Sequence, residues 1–294
     1  MKRRRSRKSC GSYRRDREKY IRRLRNYFCQ VWGHASTLLS NQSPGVFLNQ
    51  RRTPGFSFAL VPPRLCQNIS DEEFLFDDRQ KWSHIRSSSG TAGTFLKSES
   101  VIDGRKKYYK LSNFDPVNGV LGHESVNEII VDRLLTVLGV GHLSYELIHA
   151  DIEIEGNVYN TYICASEDFK ERGESKIALD DYYRTNAKKG ESHYDFCVRC
   201  GWQEYIDRMI AVDYLILNRD RRCQNFIGGY SCYENLELIR DRGNIFKNSL
   251  CLSDRDVIFD GLETILSNAR MDKIWSMIYE RYQIYENLHD SQRY

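Results

Sequence analysis

The sequence predicts an α+β protein in which a small β-rich lobe precedes an α-helical lobe, with a basic arm before both. Three observations support this: strand-like alternation over 106–112 and within 143–166, helical spacing over 122–139, and two long amphipathic patterns after residue 195. Strands gathered ahead of a run of helices are typical of such a segregated architecture. We expect the arm to span 1–75, the β-rich lobe 76–170 and the helical lobe 171–294.

Charge is distributed unevenly along the chain. The formal net charge is +4, but residues 1–26 carry thirteen Lys or Arg and two acids, a local net of +11, and the rest of the chain carries −7. Such an arm is most often a solvated tail, and it also fits binding to nucleic acid or to an acidic partner. Its few aromatic residues form no obvious platform for stacking bases. Nucleic-acid binding through the arm is therefore a weaker alternative function.

Three features of the sequence indicate the compartment. No run of about 18 apolar residues is present, so we expect no membrane span. The charged N-terminus is not followed by the apolar core of a secretory signal. Nine cysteines, an odd number, are scattered without a regular framework, which favours reduced thiols. We therefore expect a cytoplasmic protein.

The β-rich lobe contains four local patterns in order. Residues 81–100 predict a Gly/Ser/Thr turn between two short extended segments, and residues 106–112 predict a strand. The spacing within 122–139 predicts a helix, with Gly139 at the position that favours a left-handed residue. Glu155-Gly156-Asn157 separates two β-rich runs and predicts a hairpin.

The second half of the chain is predicted to be mainly helical. Residues 196–217 and 271–288 place apolar side chains near one face at helical spacing. Between these segments, residues 236–243 alternate in polarity, and by themselves they predict a strand that ends in a turn.

Two features of the β-rich lobe suggest a site for phosphate groups. The Ser/Gly/Thr turn around residue 90 would let backbone amides approach phosphate oxygens, although a flexible turn has the same composition. Lys110 shares a strand face with Tyr108 and Ser112. If that face is covered, its ammonium group needs a partner, and Glu128 or Glu124 on the following helix can supply one. The alternative is a lysine on the surface.

A polar loop follows the apolar pattern that ends near residue 217. Asp220 is placed to orient a hydroxyl group, and Asn225 follows five residues later, the spacing of a catalytic Asp and a metal-binding Asn in kinases. Asp241, followed by Gly243, is a candidate for the second metal-binding acid. The alternatives are a charged helix end and an ordinary turn.

In this order, the patterns resemble the HipA-like bacterial Ser/Thr kinases, in particular a Firmicutes-type branch. The resemblance is carried by the strings HIRSSSGTAGTFLKS, KYYKLS, GHESVNEIIVDRLLTVLG, LIHADIEIEG, CASEDFK, VDYLILNRDR and MDKIWSMIYERYQIYE. It covers roughly two thirds of the chain, from about residue 76 onward, and leaves out residues 1–75.

The resemblance implies a two-lobed, protein-kinase-like fold and ATP-dependent phosphorylation of a protein Ser or Thr, with ATP and Mg²⁺ as cofactors. An antitoxin-like protein is an implied partner. The implied ATP-binding residues are Ser89, Gly90, Thr91, Ala92, Gly93, Lys110, Glu128, Glu167 and Phe169. The implied catalytic residue is Asp220, and the implied Mg²⁺ ligands are Asn225 and Asp241. A serine within 87–89 is an implied autophosphorylation site.

The sequence departs from the family pattern near the metal-binding segment. Arg222 stands where the family usually has His, and 237–240 replaces a string that resembles Ala-Pro-Leu-Phe. The segment 226–240 is also short. An alternative function is therefore a catalytically degenerate kinase-fold protein, a pseudokinase, that binds nucleotide or a partner without transferring phosphate.

A zinc site is a competing interpretation of the cysteines. Cys197 and Cys200, with Cys223 and Cys232, would supply four thiolates. The second pair, however, is separated by eight residues, more than the usual spacing. The first pair begins a helical pattern in which cysteines are often buried as small apolar residues. The sequence therefore favours a structural role for them.

Overall fold

The computed structural model describes residues 69–71, 82–85, 92–102, 104–168, 179–218, 233–243 and 245–290. Of the arm predicted over 1–75, residues 69–71 are described and form a strand of the sheet, and residues 1–68 and 72–75 lie outside these ranges. The predicted α+β class is confirmed, because an antiparallel sheet and several helices make up the described part. The predicted boundary between lobes near residue 170 stays a prediction.

The larger sheet has six strands in the order β1-β7-β8-β4-β3-β2, and a separate hairpin pairs β5 with β6. β1 runs parallel to β7, and the other neighbours are antiparallel. The strands are β1 (Ile69–Asp71), β2 (Ser83–Ile85), β3 (Ala92–Ile102), β4 (Arg105–Leu111), β5 (Asn113–Asp115), β6 (Gly119–Leu121), β7 (Glu146–Ile154) and β8 (Asn157–Glu167).

The predicted β-hairpin is the longest pairing in the sheet. β7 and β8 align from Ile154 opposite Asn157 back to Glu146 opposite Ala165. The two turn residues, Glu155 and Gly156, have φ of 52° and 82°. Two consecutive left-handed residues form the turn that matches the right-handed twist of the strands, and glycine adopts this conformation without strain.

The helices follow the sheet, except for α1, which lies between β6 and β7. They are α1 (Glu124–Val137), α2 (Leu179–Asn186), α3 (His193–Arg199), α4 (Gln203–Leu215), α5 (Tyr233–Leu236), α6 (Asp254–Phe259) and α7 (Asn268–Asp290), with a 3₁₀-helix over Glu237–Arg242. As predicted, Gly139 follows the end of α1 with φ of 66°. In the described residues, no helix is both long enough and apolar enough to cross a bilayer.

The predicted helical segment 196–217 is two helices rather than one. Gly201, at φ 78°, ends α3, and its amide donates to the Val198 carbonyl. The Trp202 amide donates to the Cys197 carbonyl, which completes a Schellman motif. The Trp202 ring then packs edge-on against Phe196, at 6.0 Å between centroids. The break therefore serves packing, and apolar spacing alone does not reveal it.

The strand predicted over 236–243 is wrong. This segment completes α5 and forms the 3₁₀-helix. Leu236 and Ile239 are fully buried, whereas Leu238 is 42% exposed. A strand would bury Leu236 and Leu238 together, but burial at a spacing of three residues is helical. Contact with α4 therefore outweighed the alternating pattern.

Two apolar clusters stabilise the described part. One covers a face of the sheet and includes Leu96, Tyr109, Leu111, Ile148, Ile152 and Ile163, with Phe114 and Val120 of the β5-β6 hairpin against it. The other joins α1 to the later helices. Helix α1 has buried side chains all around, from Glu124 to Leu135, because the sheet lies on one side and helices on the other.

Arg133 on α1 is fully buried and connects this helix to the end of α6. Its guanidinium donates to the Ile258 carbonyl at 3.0 Å and to the Asp260 carbonyl at 2.6 Å. A cation at the C-terminal end of a helix also complements the helix dipole. Arg133 thus satisfies carbonyl groups that the helix leaves unpaired.

We expect Arg133→Met to lower the free energy of unfolding by about 2–4 kcal/mol, because it leaves buried carbonyls without their donor. Urea unfolding of the variant measures the change. Arg208→Met is the control, since Arg208 pairs with Glu204 on the surface of α4 and we expect its loss to cost less than about 0.5 kcal/mol. Equal effects of the two substitutions would contradict a structural role for the buried guanidinium.

Candidate functional site

Lys110 and Glu128 form a buried ion pair between β4 and α1. The Lys110 Nζ atom lies 2.5 Å from Glu128 Oε1, and the two side chains are 6% and 1% exposed. The Phe95 ring lies beneath the ammonium group, with 5.0 Å from Nζ to the ring centroid. Of the two alternatives that the sequence left open, the structure has the covered lysine with a carboxylate partner on the following helix. Two charges buried at this distance must offset a large desolvation cost, so the pair is not incidental.

The start of α1 is attached to the same strand by hydrogen bonds that settle the choice between the two glutamates. The Ser125 hydroxyl donates to the Lys110 carbonyl at 3.2 Å, and the Ser125 amide donates to the Ser112 hydroxyl at 3.1 Å. Glu124 accepts from the Asn113 amide at 3.2 Å. Glu124 therefore holds the chain at the end of β4, and Glu128, one turn later, pairs with Lys110.

The strands on either side of Lys110 are β3 and β8, and both contain parts of the strings that carry the resemblance. Lys110 is aligned with Lys97 on β3 and with Cys164 on β8. β3 begins at Ala92 and Gly93, and Ala92 is aligned with Ile85 on β2. The two extended segments predicted around the glycine turn are thus strands, and they pair with each other. Ser89, Gly90 and Thr91, within that turn, lie outside the described residues.

The segment that the resemblance assigns to ATP through Glu167 and Phe169 begins at the end of β8. Glu167 is its last residue, and its carboxylate lies 3.5 Å from Arg105 on the surface. The Asp168 amide donates to the Lys106 carbonyl at 2.8 Å, which extends the pairing with β4 by one residue. Phe169 lies beyond the described part of this segment. The segment therefore leaves the sheet beside β4, the strand that carries Lys110.

The polar loop with Asp220 starts from a rigid position. Asn218 donates from its amide to the Asp213 carbonyl at 2.9 Å and from its side chain to the Asp213 carboxylate at 3.0 Å. Leu217, just before it, has φ of 54°, a conformation that is strained for leucine. Strain of this kind persists only where surrounding contacts impose it. Asp220 and Asn225 themselves lie outside the described residues.

Asp241 is exposed on the 3₁₀-helix, which packs against α4 and α7. Its neighbour Arg242 donates to the buried Asp207 carboxylate at 2.9 Å. Tyr194 donates to the same carboxylate at 2.7 Å. Burial and this carboxylate together raise the pKa of Tyr194 to about 12. Asp207 therefore fixes the position of the segment that carries Asp241, and the sequence patterns did not single it out.

The cysteines of the proposed zinc site have different surroundings. Cys197 is buried in the helical core and Cys200 is partly buried. Within the described ranges, no group of three or more His, Cys, Asp or Glu side chains is arranged to hold a metal ion. Cys223 and Cys232 lie outside these ranges. The position of Cys197 agrees with the structural role that the sequence favours.

A second buried polar pair, between Asp132 on α1 and His142 in the segment after it, was not predicted from the sequence. The imidazole Nε2 lies 3.1 Å from Asp132 Oδ1, and Nδ1 lies 2.7 Å from the Val140 carbonyl. The Tyr145 amide also donates to this carboxylate, at 2.9 Å. Burial disfavours the charged imidazole, but the Asp132 carboxylate and the Val140 carbonyl outweigh it, so the pKa of His142 is raised.

This raised pKa predicts a pH dependence of stability. The protonated His142 contributes fully to the free energy of unfolding below about pH 6.5, the ordinary histidine pKa. This contribution is lost as the pH rises through the higher pKa of the folded state. We expect His142→Gln to cost roughly 1 kcal/mol at low pH and less at high pH. Free energies of unfolding of the wild type and of His142→Gln, measured from below about pH 6.5 to well above it, test the prediction. Asp132→Asn is a second variant, and it should make the free energy of unfolding depend less on pH. A difference from wild type that is independent of pH would contradict the prediction.

Comparison with known proteins yields no relative on which a family assignment can stand. No protein-family model matches the chain, and the searches of curated proteins and of solved structures find no match either.

Proposed function

We propose that this protein is an ATP-dependent Ser/Thr protein kinase of the HipA-like type, acting in the bacterial cytoplasm on a protein hydroxyl group. The observation that carries the proposal is the buried pair between Lys110 of a sheet strand and Glu128 of the adjoining helix. A strand lysine paired to a helix glutamate is the arrangement with which protein kinases hold nucleotide phosphates. It occurs here next to β3, the strand that follows the segment predicted as a glycine-rich turn.

In the proposed mechanism, the protein acts mainly by positioning and by stabilising charge. Amide groups of the turn around Gly90 and the ammonium group of Lys110 hold the phosphates, and Glu128 keeps the ammonium group oriented. The backbone at the end of β8 binds the adenine. Asp220 orients the acceptor hydroxyl and accepts its proton.

The amide and carboxylate oxygens of Asn225 and Asp241 are suited to Mg²⁺. When bound, the metal neutralises charge on the phosphates. Of the two proposed ligands, Asp241 is described, and this residue is exposed.

The second candidate is a degenerate kinase that binds nucleotide without phosphoryl transfer. The observation that favours it is the helical conformation of the segment with Asp241, which the sequence predicts as a strand and turn. Arg242 ties this segment to Asp207 on α4. If that link keeps Asp241 away from the phosphates, nucleotide binds without an acid to anchor the metal.

Two measurements on the same preparation separate these candidates. Thermal unfolding with ATP, in the presence and absence of Mg²⁺, reports binding, and incorporation of labelled phosphate into the protein or into casein reports transfer. An active kinase gives both signals. Stabilisation by ATP without incorporation favours the degenerate module, and a folded protein that ATP does not stabilise contradicts both.

A further inference from the structure

Tyr108 lies on β4 between the buried ion pair and the end of β8. It is two residues before Lys110, and side chains two apart on a strand extend from the same face. Lys110 is aligned with Cys164 on β8, whereas Tyr108 is aligned with Ser166, the residue before the last of that strand. On this face of β4, Tyr108 therefore lies between Lys110 and the segment to which the proposed function assigns adenine.

The Tyr108 side chain is held in place at both its hydroxyl and its ring. The residue is 3% exposed. Its hydroxyl donates to the Asp168 carboxylate at 3.3 Å. The Lys106 ammonium group lies over the ring, 5.4 Å from its centroid, and is paired with Glu99 at 2.6 Å. A cation over an aromatic ring and a hydrogen bond to a carboxylate both stabilise this one position of the side chain.

The position of this ring limits what can enter the site. The Asp168 amide donates to the Lys106 carbonyl at 2.8 Å, so the backbone at the end of β8 stays against β4. A base that reaches this backbone on the face of Lys110 must displace the Tyr108 ring, because closely packed side chains leave no room for a second aromatic group. A ligand made of phosphate groups alone can contact Lys110 from its other side without moving the ring.

We propose that Tyr108 is a specificity-determining residue, which closes the space between Lys110 and the end of β8 and makes binding of a base depend on release of the ring from Asp168. This inference rests on the proposed function, since it concerns the same nucleotide site. When only a fraction of the molecules is open, the apparent affinity of a ligand that needs the open form falls by that fraction. ATP and adenosine are affected equally, because they carry the same base, whereas inorganic tripolyphosphate is not affected.

Calorimetric titration of the full chain with ATP, adenosine and inorganic tripolyphosphate in Mg²⁺ buffer tests the proposal. We expect Tyr108→Ala to strengthen binding of ATP and adenosine by about fivefold or more and to leave tripolyphosphate within about twofold. Tyr108→Phe keeps the ring and loses only the hydrogen bond to Asp168, so we expect a gain of about threefold for the same two ligands. Tyr109→Phe is the matched control, because it removes a buried tyrosine's hydrogen bond to Ser100 on the opposite face of β4.

The binding results are compared for variants that show the circular dichroism spectrum of the wild type. Tighter binding of ATP and adenosine by both Tyr108 variants, with tripolyphosphate binding and the Tyr109→Phe variant unchanged, supports the role of Tyr108. Unchanged or weaker binding of ATP by these variants overturns it, and so does an equal gain for tripolyphosphate; the proposed function stands in either case if the wild type binds ATP. If neither the wild type nor any variant binds ATP, the proposed function and this inference fail together. If Tyr108→Ala does not fold, Tyr108→Phe alone decides.

Discussion

Lys110→Met is expected to lower the free energy of unfolding by about 3–5 kcal/mol, because it leaves the Glu128 carboxylate buried without its cation. The carboxylate is 1% exposed and accepts from Lys110 at 2.5 Å, so water cannot easily replace the lost partner. The magnitude reflects the cost of leaving one ion buried without a counter-charge, rather than the stabilisation that the pair itself contributes. Equilibrium unfolding in urea measures it.

The double variant Lys110→Met/Glu128→Leu distinguishes this cause from simple loss of packing. Replacing both members of a buried ion pair by apolar residues of similar volume is often neutral or stabilising, so we expect most of the lost stability to return. Lys107→Met provides the surface comparison, because its pair with Glu146 is partly exposed and should contribute less than about 1 kcal/mol. A double variant no more stable than Lys110→Met would show that the ion pair is not the cause.

Asp220→Ala is expected to reduce phosphate incorporation by about a thousandfold, because general-base and orienting groups commonly contribute about 10²–10⁴-fold to a rate. ATP should still stabilise this variant, since Asp220 is proposed to contact the acceptor hydroxyl and not the nucleotide. We expect the substitution to act locally, because the start of the loop is held in place by Asn218, two residues earlier, which donates to Asp213. Labelled-ATP incorporation and thermal unfolding, measured on the same sample, give the two readouts.

Two further variants make the Asp220 result specific. Asp241→Ala should weaken the Mg²⁺-dependent part of the ATP stabilisation if Asp241 is a metal ligand. Asp256→Ala, which removes a carboxylate that is 84% exposed on α6, should change neither readout. Incorporation by Asp220→Ala at the wild-type rate would reject Asp220 as the catalytic residue. An Asp241→Ala variant that keeps its full response to Mg²⁺ would favour the degenerate-kinase candidate.

Local patterns in the sequence were sufficient for the strands and helix that carry the candidate site. Alternation over 106–112 corresponds to β4, helical spacing within 122–139 corresponds to α1, and Gly139 ends that helix as expected. These elements could be predicted because their apolar residues recur at the spacing of one element type and clear stop signals follow them. The pairing of Lys110 with a helix carboxylate was one of two alternatives, since a lysine requires a nearby anion only if its strand face is covered.

Other features depend on contacts between distant segments, and local patterns do not contain them. Segment 236–243 alternates like a strand, yet it is helical because Leu236 and Ile239 pack against α4. The break at Gly201 is similar, since it turns Trp202 toward Tyr182 of α2 as well as toward Phe196. In both cases tertiary burial outweighs a short-range preference of a few tenths of a kcal/mol per residue.

The sequence by itself determined the α+β class, the β7-β8 hairpin, and the strand and helix that bring Lys110 to Glu128. Only the tertiary structure decided that Glu128 rather than Glu124 is the partner, that Lys97 lies opposite Lys110, and that Arg133, Asp132 and Asp207 are buried with bound partners. The reason is physical. Periodicity records which residues of one element face the core, whereas register and side-chain pairing depend on how separate elements meet.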